Sequence, residues 1–221
     1  MSARTEVVDW ATGHFEDLHF GRAKAFVEAG GKAIGFLPVY APIEIITACG
    51  MLPVGIHGGG DRIEIIRGDA YYQSYICHLP RSVTELLLTG RLDMLSGVLF
   101  PSTCDVIRNL SGMWQILRPE SYVRYIDVPQ VRERSVALDF WRGELETLLR
   151  DLSGVAGRAI PTEAELRASI TLWEEARRLI AALYAARRAA PWDVPSDELY
   201  LLLRAGAVVS VDECCEKARA Y

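Results

Sequence analysis

Four short apolar segments constrain the fold of this chain more than any other feature of its sequence. They cover residues 33–39, 51–56, 95–100 and 122–128. Each is too short for a typical buried helix and has glycine or proline close to its ends, which favours a strand inside a sheet. The stretches between them carry apolar residues at helical spacing. Because a helix is the usual connection between parallel strands, the sequence predicts parallel βα units.

The fold class that follows is α/β, with a parallel sheet flanked by helices as in Rossmann or flavodoxin-like proteins, and then a helical region. Residues 1–30 are a predicted helical lead-in, residues 31–130 an α/β domain and residues 131–221 a helical region. The last predicted helix, Val211 to Ala220, has no stop signal after it. We therefore expect this chain to be the front part of a longer protein.

Capping-box patterns mark the starts of three helices, because a Ser or Thr is followed three residues later by an acidic residue. They begin at Ser102, Thr162 and Ser210. The first predicts a helix with Cys104 in its opening turn. Its expected apolar stripe is Val106, Leu110, Met113 and Leu117. The stripe expected for the helix after Thr162 is Leu166, Ile170, Trp173, Ile180 and Tyr184.

The composition excludes two classes of protein. The 221 residues include 24 basic and 29 acidic side chains, a net charge of -5. Without a Lys/Arg-rich run, the basic surface of a nucleic-acid binder is missing. Neither a bilayer-spanning apolar run nor a secretory signal is found. We therefore expect a cytoplasmic protein without a membrane partner, whose five cysteines are reduced and serve in metal binding, catalysis or core packing.

Cys77 and Cys104 are the candidate metal ligands. Cys104 follows the third predicted strand, and Cys77 precedes the helix predicted from Pro80 to Thr89. In a parallel sheet, such positions lie at the carboxyl edge, where ligands bind. The free N–H groups of a helix start stabilise a thiolate and an anionic cluster bound to it. The alternative is that both are inert core thiols, which is the commoner role of a free cysteine.

The other three cysteines are better explained by packing. Cys49 lies in a predicted helix with Ile45 and Ile46, which favours core filling, and it is retained as a lesser metal candidate. Cys214 and Cys215 are neighbours on one helix, so their side chains diverge and do not easily share a metal. No C-x-x-C pattern is present, which excludes a zinc ribbon or a ferredoxin-type run.

The loop Gly58–Gly60 and two histidines are the remaining candidates. A glycine loop lets a phosphate or a coenzyme tail approach the backbone, but this one matches no nucleotide-binding motif and is more often a tight turn. His57 and His78 lie beside candidate sites. Each is a candidate catalytic proton donor, and the alternative is a hydrogen-bonded structural histidine.

Several motifs together resemble one protein family. Residues 40–54, YAPIEIITACGMLPV, resemble the Y-x-P-x-E-[IL]-[IL]-x-A-x-G-x-x-P signature of the benzoyl-CoA reductase and 2-hydroxyacyl-CoA dehydratase family. Cys77-His78 and the stretch 100–105, FPSTCD, resemble its two internal cysteine motifs. Residues 108–114, RNLSGMW, are most similar to benzoyl-CoA reductase subunits. Residues 156–163 and 177–180 resemble the family's helical region.

The resemblance implies a subunit of an ATP-dependent enzyme of anaerobic aromatic catabolism. The family implies a [4Fe-4S] cluster held by cysteines, here Cys77 and Cys104, beside an acyl-CoA site. It also implies a homologous cluster-bearing subunit and an ATP-hydrolysing iron–sulfur activator as partners. The reductase branch adds low-potential electrons to the ring of benzoyl-CoA, whereas the dehydratase branch, a lyase, eliminates water from a 2-hydroxyacyl-CoA.

The sequence departs from the family at one cysteine position. Many members have a cysteine two residues before the motif tyrosine, where this chain has Pro38. The third ligand is then either Cys49 or a residue of a second α/β domain that this chain lacks. A non-catalytic structural or assembly subunit is therefore a third hypothesis, beside the reductase and the dehydratase.

Overall fold

The computed structural model describes residues 2–131 and 133–221, which form an α/β unit with a helical layer. The helices are α1 Ala3–Glu16, α2 Gly21–Glu28, α3 Ile43–Ala48, α4 His78–Leu88, α5 Asp105–Leu117, α6 Arg134–Ala156, α7 Glu163–Ala189, α8 Ser196–Gly206 and α9 Val211–Ala220. The strands are β1 Ala33–Phe36, β2 Leu52–Gly55, β3 Leu95–Pro101 and β4 Tyr122–Ile126. Two short 3-10 helices, Gly60–Arg62 and Gly68–Tyr71, lie between β2 and α4.

The sheet is parallel throughout, with the strand order β2-β1-β3-β4. Gly35 in β1 pairs with Val54 on one side and Val98 on the other. This order is the flavodoxin-like one, so the predicted fold class is confirmed. The strands read as continuous apolar segments because helices cover both faces of the sheet.

Two hydrophobic cores lie on the two faces of the sheet. The larger core joins α2, α4 and α5 to one face, and Trp114 of α5 packs edge-on against Phe100 of β3 with ring centres 5.7 Å apart. The smaller core joins α3 and α6 to the other face, around Ile46 and Leu152. Both cores consist mainly of buried aliphatic side chains, and the burial of apolar side chains is the main stabilisation of such a layered fold.

The remaining helices form a layer against α3 and α1. Trp173 of α7 donates a hydrogen bond from Nε1 to Thr47 Oγ1 at 3.0 Å. Val7 and Ala11 of α1 share a small core with Leu202 and Ala205 of α8. The first and last segments of the sequence therefore pack on one another, while the division into three segments stays a prediction.

The start of α5 differs from its prediction. Ser102 does not form the capping box, because its Oγ accepts a hydrogen bond from the Val128 N–H at 2.8 Å. The helix begins at Asp105, and Cys104 is its N-cap rather than a residue of its first turn. Of the two other capping boxes, the one at Thr162 is complete, and Ser210 accepts from the Glu213 N–H.

The buried stripes of α5 and α7 also differ from prediction. In α5 the buried side chains are Ile107, Leu110, Ser111 and Trp114. The face is set by Trp114, whose ring fills the space over β3. In α7 the buried residues are Ser169, Trp173 and Ala176, and the first two donate hydrogen bonds to residues of α3. Ile170 and Tyr184 are about half exposed.

In the described part of the chain, each helix is too short or too polar to be a membrane span.

A buried carboxylate fixes the long connection between β2 and α4. Glu85 is only 4% exposed, and its Oε2 accepts hydrogen bonds from the backbone N–H groups of Ile66, Arg67 and Gly68 at 3.0, 2.6 and 2.7 Å. Hydrogen bonds to a charged acceptor are about twice as strong as neutral ones. Glu85 therefore attaches the middle of the connection, which leads to Cys77, to α4.

We expect Glu85→Gln to lower the free energy of unfolding by about 1–2 kcal/mol, because a neutral amide oxygen replaces the charged acceptor. Glu85→Ala should cost about 3 kcal/mol, because three N–H groups lose their partner. Urea denaturation measures both, and Glu28→Gln on the surface of α2 is the control. A Glu85→Ala variant as stable as the wild type would refute this role.

Candidate functional site

The carboxyl edge of the sheet contains the topological switch point. β2 lies on one side of β1, whereas β3 and β4 lie on the other, so the direction of strand addition reverses between β1 and β3. The loop after β1 leads to α3 and the loop after β3 leads to α5, and these helices pack on opposite faces of the sheet. At such a point a crevice lies between the two loops in open parallel sheets. Ligands of open parallel sheets bind in this crevice.

Cys104 lies at this crevice, directly after β3. It is the N-cap of α5, its backbone is extended, and its exposed side chain makes no capping hydrogen bond. The Ser102 N–H donates to the Ile126 carbonyl at 2.9 Å, which ties the loop to the end of β4. The first-turn N–H groups of α5 have no intrahelical partner and carry the positive end of the helix dipole. The start of α5 therefore places hydrogen-bond donors and partial positive charge beside Cys104.

Cys77 occupies the equivalent place on α4. It is also an exposed N-cap residue whose side chain makes no capping hydrogen bond. Both helices pack on the same face of the sheet and run antiparallel to the strands, so both begin at the carboxyl edge. Neighbouring helix axes lie about 8–10 Å apart. The structure thus brings Cys77 and Cys104 to adjacent helix starts at one edge.

Cys49 lies at the opposite edge of the sheet. It follows α3 and precedes β2, it is 1% exposed, and its Sγ is 3.8 Å from Ser153 Oγ. Burial raises the pKa of this thiol, which disfavours a thiolate. Its setting is that of a core thiol, and the structure does not bring it to Cys77 or Cys104.

Cys214 and Cys215 also have inert settings. Cys215 is buried between α9 and α7. Burial raises the pKa of Cys214 to about 11. Among residues 2–131 and 133–221, no three His, Cys, Asp or Glu side chains form a metal-binding group. Within those residues, Cys77 and Cys104 therefore have no third donor of these types close enough to complete such a group.

The two histidines have different surroundings. His57 follows β2 at the carboxyl edge, and burial together with the charge of Arg204 lowers its pKa to about 4. It is neutral at pH 7 and can donate or accept one hydrogen bond at each ring nitrogen. His78 is the exposed first residue of α4, next to Cys77.

Tyr40 is a candidate site residue that the sequence reasoning did not single out. Its φ is +66°, a left-handed conformation that costs a non-glycine residue about 1–2 kcal/mol. Its side chain is 60% exposed in the loop after β1, at the switch-point crevice. Backbone strain of this kind clusters at functional sites. The available signal was its place at the head of the Y-x-P motif.

Comparisons with known proteins show the family of the chain. The family model of the 2-hydroxyglutaryl-CoA dehydratase D-component matches residues 38–221. One benzoyl-CoA reductase subunit, from Thauera aromatica, is 50% identical over 209 residues, which are 94% of this chain and 54% of that protein. The beta subunit of (R)-2-hydroxyglutaryl-CoA dehydratase of Acidaminococcus fermentans is 30% identical over 85% of this chain and 49% of that protein. The chain therefore spans about half the length of the curated relatives it matches.

The surroundings of His57 predict a pH dependence of stability. Because its pKa falls from 6.5 when unfolded to about 4 when folded, the unfolded state binds the extra proton between these values. Stability should be lost as the pH falls from 6.5 towards 4. We expect the wild type to lose about 1–3 kcal/mol more than His57→Gln between pH 7.5 and 4.5, measured by urea denaturation. His78→Gln is the control and should behave as the wild type. Equal losses in the wild type and His57→Gln would contradict the expectation.

Proposed function

The chain belongs to the family of the 2-hydroxyglutaryl-CoA dehydratase D-component, and on that premise we propose that it is a subunit of an ATP-dependent benzoyl-CoA reductase-type enzyme. The observation that carries the proposal is the 50% identity to a benzoyl-CoA reductase subunit over 94% of this chain. The dehydratase subunits are more distant, at 28 to 33% identity. The resemblance stated from the motifs agrees with this family.

The two edge cysteines fit a cluster as part of its ligand set. Both are exposed and free, and both lie at helix starts that favour an anionic sulfur ligand. A [4Fe-4S] cluster takes four thiolate ligands in the usual case, so Cys77 and Cys104 supply two of them. The rest would come from another segment or from a non-protein ligand. When bound, such a cluster supplies one-electron chemistry at low potential.

The surrounding residues would orient and tune this site. The first-turn N–H groups of α4 and α5 would donate hydrogen bonds to the sulfur atoms, and such bonds raise a cluster's reduction potential. Glu85 and the backbone of Ser102 hold the two loops that carry the cysteines. The Tyr40 loop borders the crevice and would shield it from water, which strengthens electrostatic interactions inside.

Proton supply would fall to the histidines at the edge. Ring reduction adds protons as well as electrons, so a donor must lie near the substrate. Of the two candidate histidines, His78 is adjacent to Cys77. His57 has a pKa of about 4 and is neutral at pH 7, so it is the weaker proton donor of the two. The proposal includes a homologous cluster-bearing subunit, an ATP-hydrolysing activator and a cytoplasmic location.

A 2-hydroxyacyl-CoA dehydratase is the second candidate, because the family model and three of the relatives carry that activity in their names. A non-catalytic assembly subunit is the third, because the described residues contain no three-donor metal group. The three candidates differ in iron content and in the product formed.

The ligand assignment is tested by iron content. We expect protein prepared without oxygen, together with its partner subunit, to be brown and to contain iron and sulfide in equal amounts. Cys77→Ser with Cys104→Ser should remove most of the iron assigned to this subunit. Cys214→Ser is the matched control and should keep it. Full iron in the double variant would exclude these ligands, and an iron-free wild-type subunit that still binds its partner would favour the assembly role.

The reaction is tested with two substrates. With activator, ATP and reductant present, we expect the complex to reduce the ring of benzoyl-CoA and to leave a 2-hydroxyacyl-CoA intact. Product masses distinguish the two reactions, because ring reduction adds two hydrogens and dehydration removes one water. Dehydration without ring reduction would assign the chain to the lyase branch.

A further inference from the structure

A second cavity lies at the carboxyl edge, beyond the end of β2 and away from both cysteines. Its volume is about 340 Å³, and its wall includes Phe15, His57, Gly60, Arg62, Tyr200 and Arg204. The N-terminal helix, the β2 loop and α8 each contribute to this wall. Neither Cys77, Cys104 nor Tyr40 lines it, so the cavity is separate from the proposed cluster site.

Two guanidinium groups share one aromatic ring in the wall. Arg62 and Arg204 lie 5.4 and 5.3 Å from the centre of the Phe15 ring. Stacking of this kind orients the planar donor fork of an arginine. Arg204 also donates from Nη1 to Tyr200 Oη at 2.7 Å, which fixes it further. The two cations are therefore held in place beside the same cavity.

The charge of Arg204 is not neutralised by a carboxylate. Arg62 pairs with Glu16 at 2.6 Å, whereas Arg204 has no acidic partner within ion-pair distance in the described residues. Its charge also disfavours protonation of His57, which stays neutral. Asp61 is the one acidic residue of the wall. The cavity thus has an oriented, unneutralised positive charge that an anion would balance.

The glycine turn adds backbone donors to the same cavity. The φ angles of Gly58, Gly59 and Gly60 are +72°, -99° and +54°. All three glycines line the cavity, so the backbone N–H groups of Gly58 and Gly60 are candidate donors in its wall. The Gly59 N–H donates to the buried Ser82 Oγ at 2.7 Å and anchors the turn on α4. The N–H groups of Gly58 and Gly60 have no acceptor within the described protein.

We propose that this cavity binds a phosphate group, held by the Arg204 guanidinium and the glycine-turn N–H groups. Arginine matches phosphate oxygens in a bidentate manner. The volume admits a diphosphate but not a whole coenzyme, so the rest of such a ligand would extend into solvent. The phosphate has two possible sources, a coenzyme with a diphosphate or free inorganic phosphate. The site uses no cysteine and does not depend on the proposed function.

Calorimetric titration with pyrophosphate, inorganic phosphate and coenzyme A tests the proposal. We expect the wild type to bind pyrophosphate and Arg204→Gln to bind it at least about tenfold more weakly. The matched control is Arg188→Gln, which removes the same charge from the exposed face of α7 and should change binding less than about twofold. Coenzyme A that competes with pyrophosphate identifies a coenzyme site, and phosphate binding without coenzyme binding identifies a free-phosphate site.

A second variant keeps the test decisive if Arg204→Gln unfolds. Asp61→Asn removes the opposing charge from the exposed rim and should tighten pyrophosphate binding about two- to fivefold. Absence of binding at millimolar pyrophosphate, or binding unaffected by both substitutions, would overturn the proposal. The Cys77→Ser, Cys104→Ser variant should bind pyrophosphate normally, so failure of the cluster assignment and failure of this site are told apart.

Discussion

The structure depends on the position of β1 between two parallel neighbours. There is no room for a side chain at Gly35 of this strand: an added Cβ would lie 2.7 Å from Ile56 Cδ1 and 2.8 Å from Leu95 Cδ1. Glycine at this position therefore lets the neighbouring side chains pack directly against the backbone of β1. With β2 on one side and β3 on the other, the connection after β1 leads to α3 on one face of the sheet and the connection after β3 leads to α5 on the other. The crevice at the carboxyl edge is a consequence of this order.

This arrangement separates cysteines that look alike in sequence. Cys104 leaves the sheet at its carboxyl edge, where helix starts present free N–H groups and positive partial charge. Cys49 lies between α3 and β2 at the other edge, where its thiol is buried beside Ser153. The first setting offers hydrogen-bond donors to a bound anion, whereas burial in the second raises the pKa of the thiol. Whether a cysteine of this chain is exposed at a helix start or buried at a helix end therefore depends on the edge of the sheet at which it lies.

The sequence was informative where apolar pattern decides the structure. All four strands and the main helix starts follow from short apolar runs and capping residues, because burial and local hydrogen bonds act within a few residues. It was less informative where distant contacts compete. Ser102 bonds to Val128 instead of capping α5, and Trp114 sets the buried face of that helix.

The apolar pattern of the sequence also did not predict the left-handed backbone of Tyr40 or the burial of His57. Both depend on how separate loops meet at the edge of the sheet. The identity of a residue constrains its φ only weakly unless it is glycine or proline. The pKa of His57 depends on Arg204, which lies far along the chain on α8. Such properties arise from tertiary contacts and are visible only in the folded protein.

The helical layer completes the carboxyl edge instead of only covering the sheet. The Gly55 N–H at the end of β2 donates to the Ala207 carbonyl after α8 at 2.7 Å, which brings Arg204 to His57 and the glycine turn. The segment that follows the glycine turn lies against α4 and ends at Cys77. Ser82 and Glu85 of α4 hold it there by accepting hydrogen bonds from the N–H groups of Gly59 and Gly68. Because both anchors lie on one helix, α4 connects the wall of the phosphate cavity with the segment that leads to Cys77.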